Sequence, residues 1–493
     1  MTSTRADLRR KICHLELEIE RQEAALSGSR SLLRDLQASL AAENPTFPIL
    51  TLPPEIASEI FVHCVPEVVR RPRYADAPFV LLRVCRAWNR IAMSTPALWT
   101  KIRLEIDFMS QRTIQMDILE SMAKRAGQLP LTVAFSSHTW PAKPDAFWQA
   151  FSAHSYRIRQ LEIVRLTVAD GELLQAQSPA FPALTHLSLE SGLISERESR
   201  VLLSAFRDVP LLRSAHFADM EPFLIPPAFK NLTNLVAKLY FIDGIMDVLR
   251  VLPKLLVLRY TQFVDEEDDD DDQQEPAHLV HKCLREIHLI EPVEDQPSVL
   301  RYLTLPELDI LVFEATDPSM DTEGLGEFFQ RSNPPLRRLV FHCVRTRRTL
   351  SVQDWDFLRW APHITELEID YPSRHTAQVF CAAVSLPDFL LELNKLVLRC
   401  RQSSDTDDDD YYDFSLQDED EMALREFVDL VLDALYKRVV CGQVALFESR
   451  ILVEDNDGVG LVSLSDEQVV QCREIKARGV NVWIGPQGRN LVI

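Results

Sequence analysis

Glycine is scarce in this chain, at 13 of 493 residues, where a typical globular protein has about 7%. Loops that wrap phosphate groups need glycines for close backbone approach, and no glycine-rich run is present. Cations are also in the minority: 53 Lys and Arg against 74 Asp and Glu leave a formal net charge of −21. Phosphate affinity rests on clustered Lys and Arg, so nucleic acid is not an expected partner. No apolar run approaches the roughly 20 residues of a membrane span. Residues 1–10 are charged and lack the apolar stretch of a secretory leader. The nine cysteines (Cys13, Cys64, Cys85, Cys283, Cys343, Cys381, Cys400, Cys441, Cys472) contain no CxxC pair. Such a set reads as reduced thiols packed like small hydrophobes, not as a disulfide framework. These absences point to a soluble intracellular chain, cytoplasmic, nuclear or both, with no membrane partner.

Catalytic signatures are missing too. There is no GxSxG, HExxH, P-loop or kinase pattern. Asp455-Asn456-Asp457-Gly458 has the look of a calcium loop, but Val453 stands at its first ligand position and Leu464 at the closing glutamate. His278, His281, Cys283 and His288 are close in sequence. His288 belongs to an outward strand position, however, while Cys283 and His278 lie in its approach, so the four need not converge on a metal. No enzyme activity, metal or cofactor is expected.

What is present begins with a heptad. Leu8, Ile12, Leu15, Ile19, Gln22, Leu26, Ser29, Leu33, Leu36 and Leu40 follow steps of four and three, and eight of the ten are apolar. One stripe of a helix over residues 1–43 therefore needs a covering surface, either the rest of the chain or a second copy through residues 8–40. For parallel self-pairing the flanking charges are mixed: Lys11 would face Glu16, but Glu18 would face Glu23. Asn44-Pro45 ends the segment.

Residues 44–105 carry the sharpest pattern. FPILTLPPEIASEIFVHCVPE is followed by a basic turn and then by APFVLLRVCRAWNRIAMSTPALWTKIRLE. Thr51 and Pro53-Pro54 open a first short helix, with Ile56, Ile60 and Phe61 on one face. Phe79, Leu81, Leu82 and Val84 belong to a second helix, and Cys85, Trp88 and Ile91 recur at helical spacing in a third. So small a unit buries little on its own while offering large apolar anchors, which implies a partner surface. The order LPPEIASEIF, LLRVCRAWNRIA, TPALW resembles the F-box, and closely that of the F-box proteins abundant in mushroom-forming fungi, which also tend to begin with a short heptad helix. The departure is an Arg- and Pro-rich insert, Pro66 to Pro78, expected to loop out.

The resemblance implies docking to the Skp-type adaptor of a cullin–RING ubiquitin ligase. Leu52, Pro53, Ile56, Ile60, Phe61, Val84, Cys85, Trp88, Ile91, Leu98 and Trp99 would form the contact surface or the small core behind it. Trp88 and Trp99 are the expected energetic anchors.

After a connecting segment at 106–150, residues 151–493 repeat a loose Leu-x-x-Leu-x-Leu signal. It starts at Ile158, Leu184, Leu212, Leu232, Leu255, Leu284, Leu308, Leu336, Ile364 and Leu393, with spacings of 20 to 29 residues. Six starts have proline two residues earlier (Pro182, Pro210, Pro253, Pro306, Pro334, Pro362), where chance gives fewer than one. Proline there ends a helix and sets the chain extended for the next strand. Helix-like stretches lie between the starts, at Ser199–Arg207, Ile245–Val251 and Gly324–Gln330, and an amphipathic helix (Met422–Val439) and an αβ cap (Arg450–Ile493) follow.

The expected fold class is therefore α/β: a coiled-coil helix, a three-helix F-box and an irregular solenoid resembling leucine-rich repeats. A non-repetitive α/β domain is the alternative. The side-chain ladder usual in those repeats is missing, since Gly192, Val344 and Pro372 stand at its Asn or Cys position. Acidic insertions at 265–275 and 403–421 interrupt the array and read as solvated loops.

Alternate strand residues of such an array line a concave surface. Arg259, His288, Arg338, His342, Glu366, Glu368, Asp370, Lys395 and Arg399 would present basic and acidic bands to a target protein, or else form a solvated face. The function that follows is substrate recognition for an SCF-type ligase. The alternative is a non-degradative interaction scaffold using the same two regions.

Overall fold

The computed structural model describes residues 5–43, 52–66, 77–106, 112–137, 145–166, 168–194, 202–220, 227–240, 242–262, 276–291, 298–315, 322–342, 352–370, 374–386, 388–401, 424–441, 446, 448–454, 464–486 and 490–492. Both acidic runs, residues 67–76 of the Arg/Pro insert and Asp455–Gly458 lie outside these residues. Two compact units are present: Met1–Thr100 with Met122–Leu129, and Lys101–Ser121 with Pro130–Ile493.

In the second unit every start of the Leu-x-x-Leu-x-Leu signal is fully buried. In nine of the ten the strand begins two residues later, and Ile158 is itself the first residue of its strand. The strands of its main sheet are β1 (Lys101–Ile106), β2 (Leu131–Ser137), β3 (Ile158–Leu166), β4 (His186–Ile194), β5 (Ser214–Met220), β6 (Asn234–Tyr240) and β7 (Val257–Gln262). They continue as β8 (Glu286–Glu291), β9 (Ile310–Ala315), β10 (Arg338–His342), β11 (Glu366–Asp370), β12 (Lys395–Arg401), β13 (Glu448–Glu454) and β14 (Asn481–Gly485). All fourteen form one sheet in chain order, each parallel to the next. Such an order is that of a solenoid, in which each repeat packs on its sequence neighbours.

Register makes the core. Leu258, Ile287, Leu311, Leu339, Leu367 and Leu396 stand opposite one another strand by strand, and all are buried. Ahead of the strands the residue after each start donates its N–H to its equivalent in the previous repeat. Thr233 bonds Arg213 at 2.8 Å, Leu256 bonds Thr233 at 2.8 Å, Arg285 bonds Leu256 at 2.9 Å and Asp309 bonds Arg285 at 2.8 Å. This backbone ladder continues from Arg337 to Asn394. Helices cover one side of the sheet. Ile242–Val251 buries Ile245, Met246, Val248 and Leu249 along one face, as 3.6-residue periodicity demands.

The sheet starts earlier than the repeat signal suggests. β1 and β2 lie within segments read as F-box end and connection. Trp99-x-x-Ile102-x-Leu104 has the repeat spacing, but Leu98-Trp99 also closes the F-box pattern, which masked it. At the other end Met422–Val439 is an α-helix over Leu424–Tyr436 that passes into a π turn, Lys437–Cys441. That turn directs Arg438 inward. The guanidinium is buried and donates to the carbonyls of Val384 (3.2 Å), Phe389 (2.7 Å) and Leu390 (2.7 Å). Leu390 has φ of 45°, a costly conformation for a side-chain-bearing residue, and Arg438 holds its carbonyl there. Burial lowers the Arg438 pKa to about 10, which leaves it charged at neutral pH.

The leucine row sets the stability of the array. Truncating Leu284→Ala removes a fully buried side chain and should cost about 3 kcal/mol, read as a lower urea midpoint. Leu391→Ala, at a side chain 61% exposed, should change stability by less than about 0.5 kcal/mol.

Candidate functional site

The N-terminal unit contains α1 (Arg5–Glu43), α2 (Pro54–His63), α3 (Leu81–Val84) and α4 (Arg86–Met93), then a 3-10 turn, Pro96–Trp99. Pro53 caps α2 and Pro54 occupies its first turn, where a missing N–H costs nothing. Cys85 separates α3 from α4 in an extended conformation, and its sulfur accepts the Trp88 N–H at 3.5 Å. Asn89 ties the two helices together, donating to the Leu82 carbonyl at 2.9 Å.

α2 carries two apolar stripes. Ala57 and Phe61 point inward and are buried, with the Phe61 ring 4.9 Å from that of Trp88. Ile56 and Ile60, also four residues apart, point outward and are 50% and 39% exposed. Leu52, Pro53, Val84 and Cys85 are exposed as well, while Trp88 and Ile91 are half-buried. Leu98 and Trp99 belong to the interior. The Trp99 indole N–H donates to the Ala92 carbonyl at 3.0 Å, and the Arg125 guanidinium stacks 4.6 Å from its ring centroid. Trp99 is therefore a core pillar and not the contact anchor expected from sequence, because its only polar atom is satisfied inside. The Thr95 hydroxyl closes the module, within hydrogen-bond distance of both the Ile91 carbonyl (2.7 Å) and the Ser58 hydroxyl (2.9 Å).

In the array, the nine residues expected on the outward face hold alternate strand positions in register from strand to strand, with Arg259 and Arg338 exposed and His288, His342, Glu366, Lys395 and Arg399 half-buried. Register then brings seven of them into one network, with Arg338 joining it to Glu366 at 3.9 Å. Glu368 accepts from Arg338 at 3.1 Å and from both Nε and an Nη of Arg399, at 3.0 and 2.6 Å. Asp370 pairs with Arg399 Nε at 3.0 Å and with His342 Nδ1 at 2.5 Å. Glu366 lies 3.6 Å from Lys395. Glu368 and Asp370 are buried despite their outward position. The basic and acidic bands thus largely neutralise one another. His288 pairs with Glu286 at 2.7 Å, and Arg259 makes no ion pair among the described residues.

Burial pushes the Glu368 carboxyl upward, but the hydrogen bonds and charges of Arg399 and Arg338 outweigh it and hold its pKa below the ordinary value. The hydrogen bond to Asp370 raises the His342 pKa against the opposing effect of burial. His288 goes the other way, lowered chiefly by burial. His281, in the cluster examined for zinc, has both ring nitrogens within hydrogen-bond distance of backbone, the Leu252 carbonyl (3.0 Å) and the Leu284 N–H (3.2 Å). No group of three metal-ligating side chains gathers among the described residues.

A feature that escaped the sequence reading lies on β2 to β5. Thr132, Gln160, Glu162, His186, Ser188, Ser214 and His216 line a depression of about 270 Å³ on the open face. Its lining is mostly uncharged, and Arg103 bonds Glu162 at 3.1 and 3.3 Å. The same alternation rule would have found these residues, but a search for charge passes over them.

A small three-helix module followed by a parallel α/β solenoid is the class of protein these features define. The F-box-like family model matches residues 49–105, so the chain carries an F-box-like domain, the region picked out by its Leu-Pro opening and Leu-Trp close. Comparison with curated proteins gives no match. No described helix is long and apolar enough to cross a membrane.

Because the His342 pKa is raised in the folded state, its pairing with Asp370 stabilises fully below its ordinary value of 6.5. That contribution is lost as pH rises through the raised value. The His342 titration followed by NMR should have its midpoint above 6.5 and move down in Asp370→Asn. An unchanged midpoint would show that Asp370 does not set it.

Proposed function

We propose that this protein is a substrate-recognition subunit of an SCF-type, cullin–RING ubiquitin ligase. Its F-box docks the Skp-type adaptor, and its sheet holds a target protein. The observation that carries this reading is the second stripe of α2. Ile56 and Ile60 lie exposed in a domain that matches the F-box-like family, while the neighbouring stripe already fills the core. Apolar side chains so placed suit a protein interface. Leu52, Pro53, Val84 and Cys85 add to the exposed set, Trp88 and Ile91 border it, and Phe61, Leu98 and Trp99 support it from behind.

The target is assigned to the open face of the solenoid. Arg259 and the depression on β2 to β5 are the contact candidates there, since the charges from Arg338 to Arg399 hold one another in place. Within the complex this chain performs no chemistry. The rate gain comes from holding the target near a loaded conjugating enzyme. The setting is intracellular, in cytoplasm or nucleus.

The test is capture of the Skp-type adaptor by the full chain, beside Ile56→Ala/Ile60→Ala. Both changed side chains are exposed, so the circular dichroism should not change while affinity falls by about tenfold or more. Unchanged binding by the double variant, or none by the parent chain, would remove the reading. If the adaptor binds but no partner is turned over, the non-degradative scaffold stands instead.

A further inference from the structure

We infer that α1 is a dimerisation helix that pairs antiparallel with α1 of a second copy, about an axis near Ala24. The helix runs 39 residues, about 58 Å at 1.5 Å per residue. Its apolar stripe is bare: Ile12, Leu15, Ile19, Leu26, Leu33 and Leu36 are each 51–59% exposed. The same helix contains Ser27-Gly28-Ser29, poor helix formers at its middle, and nothing lies within 4 Å of where a Gly28 side chain would start. A helix of this kind gains its order from a covering partner.

Charge selects both the partner and its direction. Glu16, Glu18, Glu20 and Glu23 form an acidic block with one cation, Arg21, and Arg9, Arg10 and Lys11 form a basic one. Parallel, in-register pairing would set each block beside its own copy, well inside the roughly 10 Å over which charges act at moderate salt. Antiparallel pairing about Ala24 removes both conflicts. Residues 16–23 then face residues 25–32, which carry Arg30 and no acid, and residues 9–11 face 37–39, which carry no charge. The stripe stays closed, with Ile12 on the partner's Leu36 and Leu15 on the partner's Leu33. Positions flanking the seam bring Glu16 to the partner's Arg30 twice and leave one like pair, Glu23 with the partner's Glu23. Parallel pairing gives two attractive and two repulsive flanking contacts. Glu18, beside the seam, is already engaged by Arg21 at 3.6 Å and by Gln22 at 3.5 Å within its own helix.

The inference is independent of adaptor docking. It is tested on the full chain, first by light scattering at micromolar concentration, then by mixing Cys13→Ser/Leu15→Cys chains with Cys13→Ser/Leu33→Cys chains under mild oxidation. The expected results are a dimer mass and a disulfide joining positions 15 and 33, mapped by peptide mass spectrometry. Leu26→Glu/Leu33→Glu should halve the mass with the circular dichroism of the array retained. A monomeric parent chain, a disulfide joining position 15 to position 15, or a dimer that survives the double Glu variant would each overturn it.

Discussion

Everything in the second unit depends on parallel strands stacking in step, with register shifts confined to the ends of four strand pairs. The backbone ladder from Thr185 to Asn394 holds equivalent residues of successive repeats at hydrogen-bond distance. The leucine after each proline stop, or its equivalent, then falls into a single buried row. A repeat on its own could bury neither its strand nor its helix; a neighbour on each side covers both. The missing Asn or Cys ladder is tolerated for that reason. The main-chain bonds and the leucine row already specify the register, and the irregular repeat lengths of 20 to 29 residues are taken up outside it.

The same register turns surface charge into structure. Glu368 sits between Arg338 and Arg399 because β10, β11 and β12 are adjacent and in step, with about 4.8 Å between strands. A carboxylate with two guanidinium partners tolerates burial that would otherwise be costly. The late strands therefore show a face that is polar but nearly compensated. Thr, Gln, Ser and His side chains, with Glu162 held by Arg103, surround the depression at the other end. Under the proposed function, recognition of a target by shape and hydrogen bonding fits the early strands better than long-range attraction does.

The N-terminal unit follows a different logic, dividing one helix between inside and outside. On α2 the pair Ala57/Phe61 and the pair Ile56/Ile60 are displaced by one residue, about 100° around the helix. A ten-residue helix with apolar residues on both stripes is poorly suited to an isolated module and well suited to one that completes its surface with a partner. Cys85 and Trp88 show how compactly this is built: the sulfur that begins α4 accepts from the backbone of the residue whose ring packs on Phe61.

Much of this was legible in the chain itself. Patterns local in sequence were enough for the heptad, the order of the three short N-terminal helices, and strand starts placed by proline and leucine, because helix and strand periodicities depend on neighbours a few residues apart. The outward alternation of Arg259 through Arg399 was equally readable. Contacts between residues far apart along the chain were not. That Trp99 is a pillar while Ile56 faces outward, that Glu368 is flanked by two arginines 30 and 31 residues away, and that Arg438 reaches back 48 residues to Leu390 depend on tertiary register. Composition and spacing state which side of a strand a residue occupies. Only the folded chain decides who stands beside it, because that neighbour is supplied by the packing of a different repeat.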